Sequence, residues 1–242
     1  MGKPRCNIPR VIFVAMPNID VVIPVFNQAF ELGKCLQGLR DQTLRDFSVI
    51  IVDDGSLPPL DPVNARDLSV RMVRQKNAGA SAARNRGARE GSAPYILFCD
   101  ADIKLKKNAI QTFYHALNNS PTAAFAYSSF FFGRKLFRLW PFDVARLRHE
   151  PYIHTTSLLR RADFPGFDET LGRFQDWDLF LSLAARGKTG VWIDEPLFKV
   201  RPGGTMSVWL PRLAYQWLPW LPEVRRYRTA REAIARKHHF TV

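Results

Sequence analysis

Three apolar runs, IDVVIPV (19–25), FSVIIVD (47–53) and YILFC (95–99), constrain the fold of this 242-residue chain more than anything else in it. Each is short, rich in β-branched or aromatic residues, and followed by turn residues, as in strands buried on both faces. Between them, Leu32, Leu36 and Leu39 recur at helical spacing. The segment NAGASAARNRGARE (77–90) offers a helix whose small-residue face can pack closely on a sheet. A short strand is expected around 70–73 and a helix over about 106–118. This alternation predicts parallel βαβ units.

The strands end in acid. FSVIIV runs into VDDGS (52–56) and YILFC into FCDAD (98–102). In open α/β sheets, ligands bind at the carboxyl ends of the strands. If residues 99–102 stay extended, Asp100 and Asp102 project to one side. There they suit a divalent cation that keeps water and phosphate oxygens as its other ligands. Alone, such a triplet is more often a turn with capping aspartates; its place after an apolar strand is what raises it. Asp53 and Asp54 can accept from a uracil ring N–H or ribose hydroxyls, and Gly55 permits close approach, although Asp-Gly is equally a common turn. Asn77 to Gly87 can bring helix N–H groups and Arg84 to a diphosphate. A helix that merely packs, with Arg84 and Arg86 solvated, is the plainer alternative.

Beyond residue 120 the rhythm changes. Residues 123–131 and 152–160 read as strands separated by a basic, aromatic loop, followed by a helix at 176–186, a strand at 190–200 and a Pro/Trp-rich tail. On a helical wheel of about 100° per residue, Asp178, Ser182 and Arg186 share one polar stripe, which leaves Asp178 solvent-facing or structural. Asp176 falls between Trp177, Phe180, Leu181 and Ala184 and is forced toward the protein. Partial burial raises a carboxylate toward the range of a general base. A first-turn carboxylate favoured by the helix dipole explains it as well.

The net charge of +13 is concentrated in residues 134–148 and 225–239. It favours acidic partners, but no recognised nucleic-acid motif accompanies it, and a solvated basic surface accounts for it equally well. Three cysteines without ligand spacing (Cys6, Cys35, Cys99) suit a reducing cytosol, with Cys99 a small core residue. No run of about 20 apolar residues predicts a transmembrane helix. The apolar patch in residues 1–15 is too short for a secretory signal; either this leader is disordered or Met16 is the true start.

IPVFN, VDDGS, N-x-G-x-x-x-A-R-N-x-G, D-A-D and Q-D-W-D-L, in that order from about Ile19 to Ser207, strongly resemble glycosyltransferase family 2. No single motif is decisive; five in order are specific. The resemblance implies an α/β GT-A (Rossmann-like) fold, a central mostly parallel sheet flanked by helices. It implies a transferase domain at 18–207, with a donor half (18–103) and an acceptor half (104–207), between the leader (1–17) and a tail (208–242) that composition marks as basic and aromatic. By position, Pro24, Asn27, Asp53, Asp54, Asn77, Gly79, Arg84 and Asp100 bind the nucleotide donor. Asp100 and Asp102 hold Mn²⁺ or Mg²⁺, and Asp176 is the acceptor base. His154, Thr155 and Thr156 are assigned to the acceptor side.

Two positions depart from the family pattern. Gln175 stands where Glu is common, and Arg201 replaces a His of the closing segment; Arg cannot coordinate a metal. The implied reaction is inverting transfer from a nucleotide-diphosphate sugar, of the UDP type, to a glycan or lipid-linked acceptor in cell-envelope polysaccharide synthesis. Residues 209–221 carry three tryptophans and, with the basic stretch beyond, suit either a membrane interface at the inner face or a tail packed over the cleft or in an oligomer. A nucleotidyltransferase would show a glycine-rich basic loop near the first strand, which IPVFNQAF lacks. A non-catalytic sugar-nucleotide binder would leave Asp100, Asp102 and Asp176 without a shared purpose.

Overall fold

The computed structural model describes residues 18–61, 67–202, 217–218 and 220–241. The leader, the choice between Met1 and Met16, and most of 203–219 lie outside the described residues. Strands β1 (Ile19–Val25), β2 (Phe47–Asp53), β3 (Ser69–Arg74) and β4 (Tyr95–Phe98) form a parallel run in the order β3-β2-β1-β4. The period-2 alternation of β1 explains why this sheet needs helices on both faces. Ile19, Val21, Ile23 and Val25 pack in one layer with Leu32, Leu36 and Leu39 of α1 (Ala29–Arg40) and Phe113 and Leu117 of α3 (Ala109–Asn118). Val22 packs in the other, with Ala83 and Ala88 of α2 (Ala80–Glu90). A Cβ on Gly87 would collide with Val22 Cγ1, so the small-residue face of α2 does bring the helix hard against the sheet.

The remaining elements are β5 (Ile103–Leu105), β6 (Ala123–Phe132), β7 (Lys135–Phe137), α4 (Val144–His149), β8 (Leu158–Arg160), α5 (Gln175–Ala185), β9 (Thr189–Val200) and α6 (Pro222–Lys237). The sheet continues β8-β6-β9-β5, with β7 on β6. Here it becomes mixed: β8 runs antiparallel to β4 and β6, while β6 and β9 are parallel.

One expectation changes, and for Asp178 the structural alternative holds. The strand read at 152–160 shrinks to β8, because residues 154–157 bond locally: Thr156 N–H donates to His154 Nδ1 and Ser157 Oγ donates to the His154 carbonyl. Such bonds compete with a sheet ladder. Asp178 is not solvent-facing but 2% exposed. The basic tail accounts for this: it forms α6, opened by Pro222 in its first turn. Lys237 Nζ and His238 Nε2 then close on the Asp178 carboxylate at 2.9 and 2.7 Å.

Candidate active site

A cleft of about 650 Å³ opens at the carboxyl ends of β1, β2 and β4 and is closed opposite by β6, β7, residues 154–155 and the entry to α5. The wall at the ends of β1 and β2 is one hydrogen-bonded unit made from two of the sequence motifs. Asp54 accepts from Gln75 Nε2 at 2.8 Å and from the backbone N–H groups of Ala78 and Gly79, both at 2.9 Å. Asn77 Nδ2 donates to the Asp54 carbonyl at 3.0 Å. Gly55 makes this closure feasible: its φ is +82°, and a Cβ there would lie 2.8 Å from Asn77 N. Pro24, Asp54, Asn77 and Gly79 all line the cleft.

Asp53 and Asn27 are not among the lining residues; they build the turn beneath it. Asp53 accepts from Ser56 N at 2.8 Å and Leu60 N at 3.4 Å, with Arg74 3.6 Å away. Burial raises its pKa, but these hydrogen bonds and Arg74 outweigh it and hold the carboxyl below its usual range. Asn27, in the left-handed region at φ +54°, accepts from Leu57 N at 2.8 Å. Asn tolerates that conformation better than most residues.

Arg84 is not solvated. It is 3% exposed, and its Nη2 lies 2.7 Å from Asp100 Oδ1. Arg86, by contrast, is exposed and pairs with Glu90. Burial works to raise Asp100, but the Arg84 charge and hydrogen bond, with His154, bring it below its usual value. Asp102 moves the other way, to about 6, driven by burial and then by the Asp100 charge. The segment is a turn rather than extended chain, with Ile103 N–H donating to the Asp100 carbonyl at 3.0 Å, yet both aspartates still line the cleft.

This pair fits a divalent cation. Two hard carboxylates stand close enough for one to raise the other, and added positive charge relieves that repulsion. Among the described residues no group of three or more His, Cys, Asp or Glu converges, so phosphate oxygens and water must complete such a site. Arg201 does not enter it: its guanidinium pairs with Glu31 at 3.2 Å while its N–H donates to the Asp102 carbonyl at 3.3 Å.

Asp176 reaches the cleft from the first turn of α5. The helix is entered through Phe174 at φ +61°, a left-handed conformation costly for a bulky residue. Ring contacts with Trp177 and Tyr227, at 5.4 and 5.2 Å between centroids, hold Phe174 there. Gln175 is buried and donates to the Leu171 carbonyl at 2.9 Å, a bond an ionised Glu could not make. Asp176 itself accepts from Trp177 N at 2.8 Å. Burial raises its pKa above the ordinary carboxylate value, opposed by His154 and by that hydrogen bond.

Phe130, Phe132, Phe137 and Phe174 form an aromatic wall that sequence reasoning missed, and His154 and Thr155 line the cleft with them.

The fold and this cleft define an open α/β protein whose acidic strand ends line one cleft. The family model for glycosyl transferase family 2 matches residues 20–174, and the chain belongs to that family. An uncharacterized glycosyltransferase of Rickettsia conorii is 28% identical over 225 residues, covering 84% of this chain; the chain spans 36% of that relative's length. S. aureus TarS 1–349 in complex with UDP-GlcNAc superposes with a TM-score of 0.66 at 15% identity, covering 93% of this chain and 73% of that one. A mannosyltransferase of Pyrobaculum calidifontis in complex with GDP-Man and Mn²⁺ gives 0.59 at 17% identity, covering 84% and 60%.

Proposed function

We propose that the chain transfers a sugar from a nucleotide-diphosphate donor to an acceptor hydroxyl with inversion, Asp176 acting as the general base. The observation that carries this reading is the convergence of Asp54, the Arg84–Asp100–Asp102 cluster and Asp176 on one cleft. The donor nucleoside lies against Pro24, Asp54, Asn77 and Gly79. Arg84 orients Asp100 toward the diphosphate. A UDP-linked hexose is the favoured donor because TarS is crystallised with UDP-GlcNAc.

Asp100 and Asp102 would hold Mn²⁺ or Mg²⁺, an idea supported by the Mn²⁺ in the Pyrobaculum neighbour. The cation would offset charge on the departing diphosphate. Asp176 removes the acceptor proton as the acceptor oxygen attacks the anomeric carbon on the face opposite the leaving group. Its raised pKa suits the task, because burial strengthens its affinity for a proton. The acceptor is a glycan or lipid-linked glycan entering along the aromatic wall, and the protein works at the cytoplasmic face of a membrane reached by its basic C-terminal region.

The test pairs turnover with binding. Asp176→Asn should lower transfer at least about a thousandfold while leaving the Kd for the sugar nucleotide within about threefold. Near-normal turnover in that variant would remove Asp176 from the role. Loss of donor binding in the wild-type protein on chelation of Mn²⁺ and Mg²⁺, restored by adding either back, would support the aspartate pair as the cation site.

A further inference from the structure

His154 belongs to none of the motifs that mark the family, yet the charges of Asp100 and Asp176 both act on its ring. Three contacts fix that ring. Thr156 N–H donates to Nδ1 at 3.0 Å, and the Phe130 and Phe198 rings flank it at 5.2 and 5.1 Å between centroids. The backbone is pinned as well, by Ser157 Oγ donating to the His154 carbonyl at 2.8 Å. Because Nδ1 accepts, a neutral imidazole carries its proton on Nε2. Nε2 has no hydrogen-bond partner among the described residues, and the ring lines the cleft.

We propose that His154 reads the donor sugar, its Nε2–H donating a hydrogen bond to a hydroxyl of the hexosyl group held between Asp100 and Asp176. The inference rests on the glycosyl-transfer reading above and adds a specificity-determining residue to it. Asp100, His154 and Asp176 line one cleft; on the reading above Asp100 marks its diphosphate end and Asp176 its acceptor end, so a ring fixed in the same cleft borders the sugar. A neutral donor suits that place. Positive charge develops on the sugar as the bond to the leaving group breaks, and a cation there would oppose it. Burial holds the imidazole below its ordinary pKa, which keeps it neutral near pH 7. With its Nδ1 lone pair already engaged by Thr156, the ring does not compete with Asp176 as the base.

Calorimetric titration of UDP, a panel of UDP-hexoses and their monodeoxy analogues, with Mn²⁺ present, tests this on wild type, His154→Phe and His154→Asn. Phe preserves the packing between Phe130 and Phe198 but cannot donate; Asn restores a donor. His154→Phe should bind the preferred UDP-hexose about tenfold more weakly while binding UDP within about twofold of wild type. One monodeoxy donor should show the same loss with wild type and no further loss with His154→Phe. His154→Asn should recover part of the affinity, and it carries the test alone if the Phe variant does not fold. Unchanged hexose binding in His154→Phe, or equal losses of UDP and UDP-hexose, would overturn the proposal while leaving the transferase reading intact. A wild-type protein that binds no member of the panel would sink that reading and this proposal together.

Discussion

At the residue scale, the cleft runs on carboxylates displaced from their ordinary pKa in opposite directions, and each displacement has a separable cause. As the proposed base Asp176 must be ionised, and burial raises its pKa. Transfer should therefore fall as pH drops, with the acid limb of kcat inflecting above the usual aspartate value of about 3.9. A profile flat from pH 7 to pH 4 would contradict this. Arg84 is the opposing device, since its charge is what brings Asp100 below the usual range against burial. Arg84→Met leaves that half-buried carboxylate without its cation and removes a charge from the proposed phosphate side. Nucleoside-diphosphate affinity should fall about tenfold or more, read by titration.

At the element scale, packing decides which substitutions the frame tolerates. Gly87→Ala gains about 0.8–1 kcal/mol of helix propensity, but its Cβ drives into Val22 and sits 3.2 Å from Val52 Cγ2. Overpacking of about 1–3 kcal/mol should win, and the variant should melt below wild type. The docking of α6 on α5 is a second test. Asp178→Ala removes the buried acceptor of both Lys237 and His238. Lys237 keeps Asp168 at 2.6 Å and is 39% exposed, so it can rehydrate, and the loss should be about 1–3 kcal/mol in denaturant unfolding. Hydrogen bonds from Lys237 and Thr170 hold Asp168 at about 2. A depressed carboxylate stabilises the fold above its unfolded pKa, so this contribution should disappear between about pH 4 and pH 2.

The elements legible in the sequence are those whose own residues determine them. β1, β2, β4 and α1 announce themselves by apolar period, and the small face of α2 by composition. Asp176 lines the cleft beside the buried Trp177 and Phe180, the inward turn that their apolar spacing implies. For Asp178 the wheel left solvent-facing and structural both open, since it cannot show what covers the polar stripe of α5; Lys237 and His238 arrive from 59 and 60 residues away and make it structural. His154 was legible only as a cleft-lining candidate, and its fixed orientation was not, for a related reason. Its place depends on a local bond to Thr156 and on Phe130 and Phe198 from distant strands, none of which leaves a periodic trace. Likewise, nothing local distinguishes Asp53, which holds the turn, from Asp54, which lines the cleft.

At the scale of the whole molecule, the charge of +13 needs a consequence, and α6 supplies the place to look for one. Its inner side carries Val224, Ile234 and Ala235, while Arg225, Arg226 and Arg236 are exposed. Just before it, Trp217 and Trp220 are 72% and 60% exposed. No helix among the described residues is long and apolar enough to cross a membrane. A basic helix beside exposed tryptophans matches the chemistry of an anionic lipid interface, where each Arg near the surface contributes about 1 kcal/mol and each Trp sits at headgroup level. Three such arginines give about 3 kcal/mol, enough to shift partitioning roughly a hundredfold between anionic and neutral vesicles. Flotation should therefore recover the protein with phosphatidylglycerol vesicles and not with phosphatidylcholine vesicles. About 0.5 M NaCl should release it, because that screens surface charge within a few ångströms. Arg225→Glu with Arg226→Glu should abolish flotation while leaving Tm nearly unchanged, since neither side chain lies in the buried face. Equal recovery with both lipids would assign the contact to the tryptophans alone, and recovery with neither would return this basic surface to the solvent.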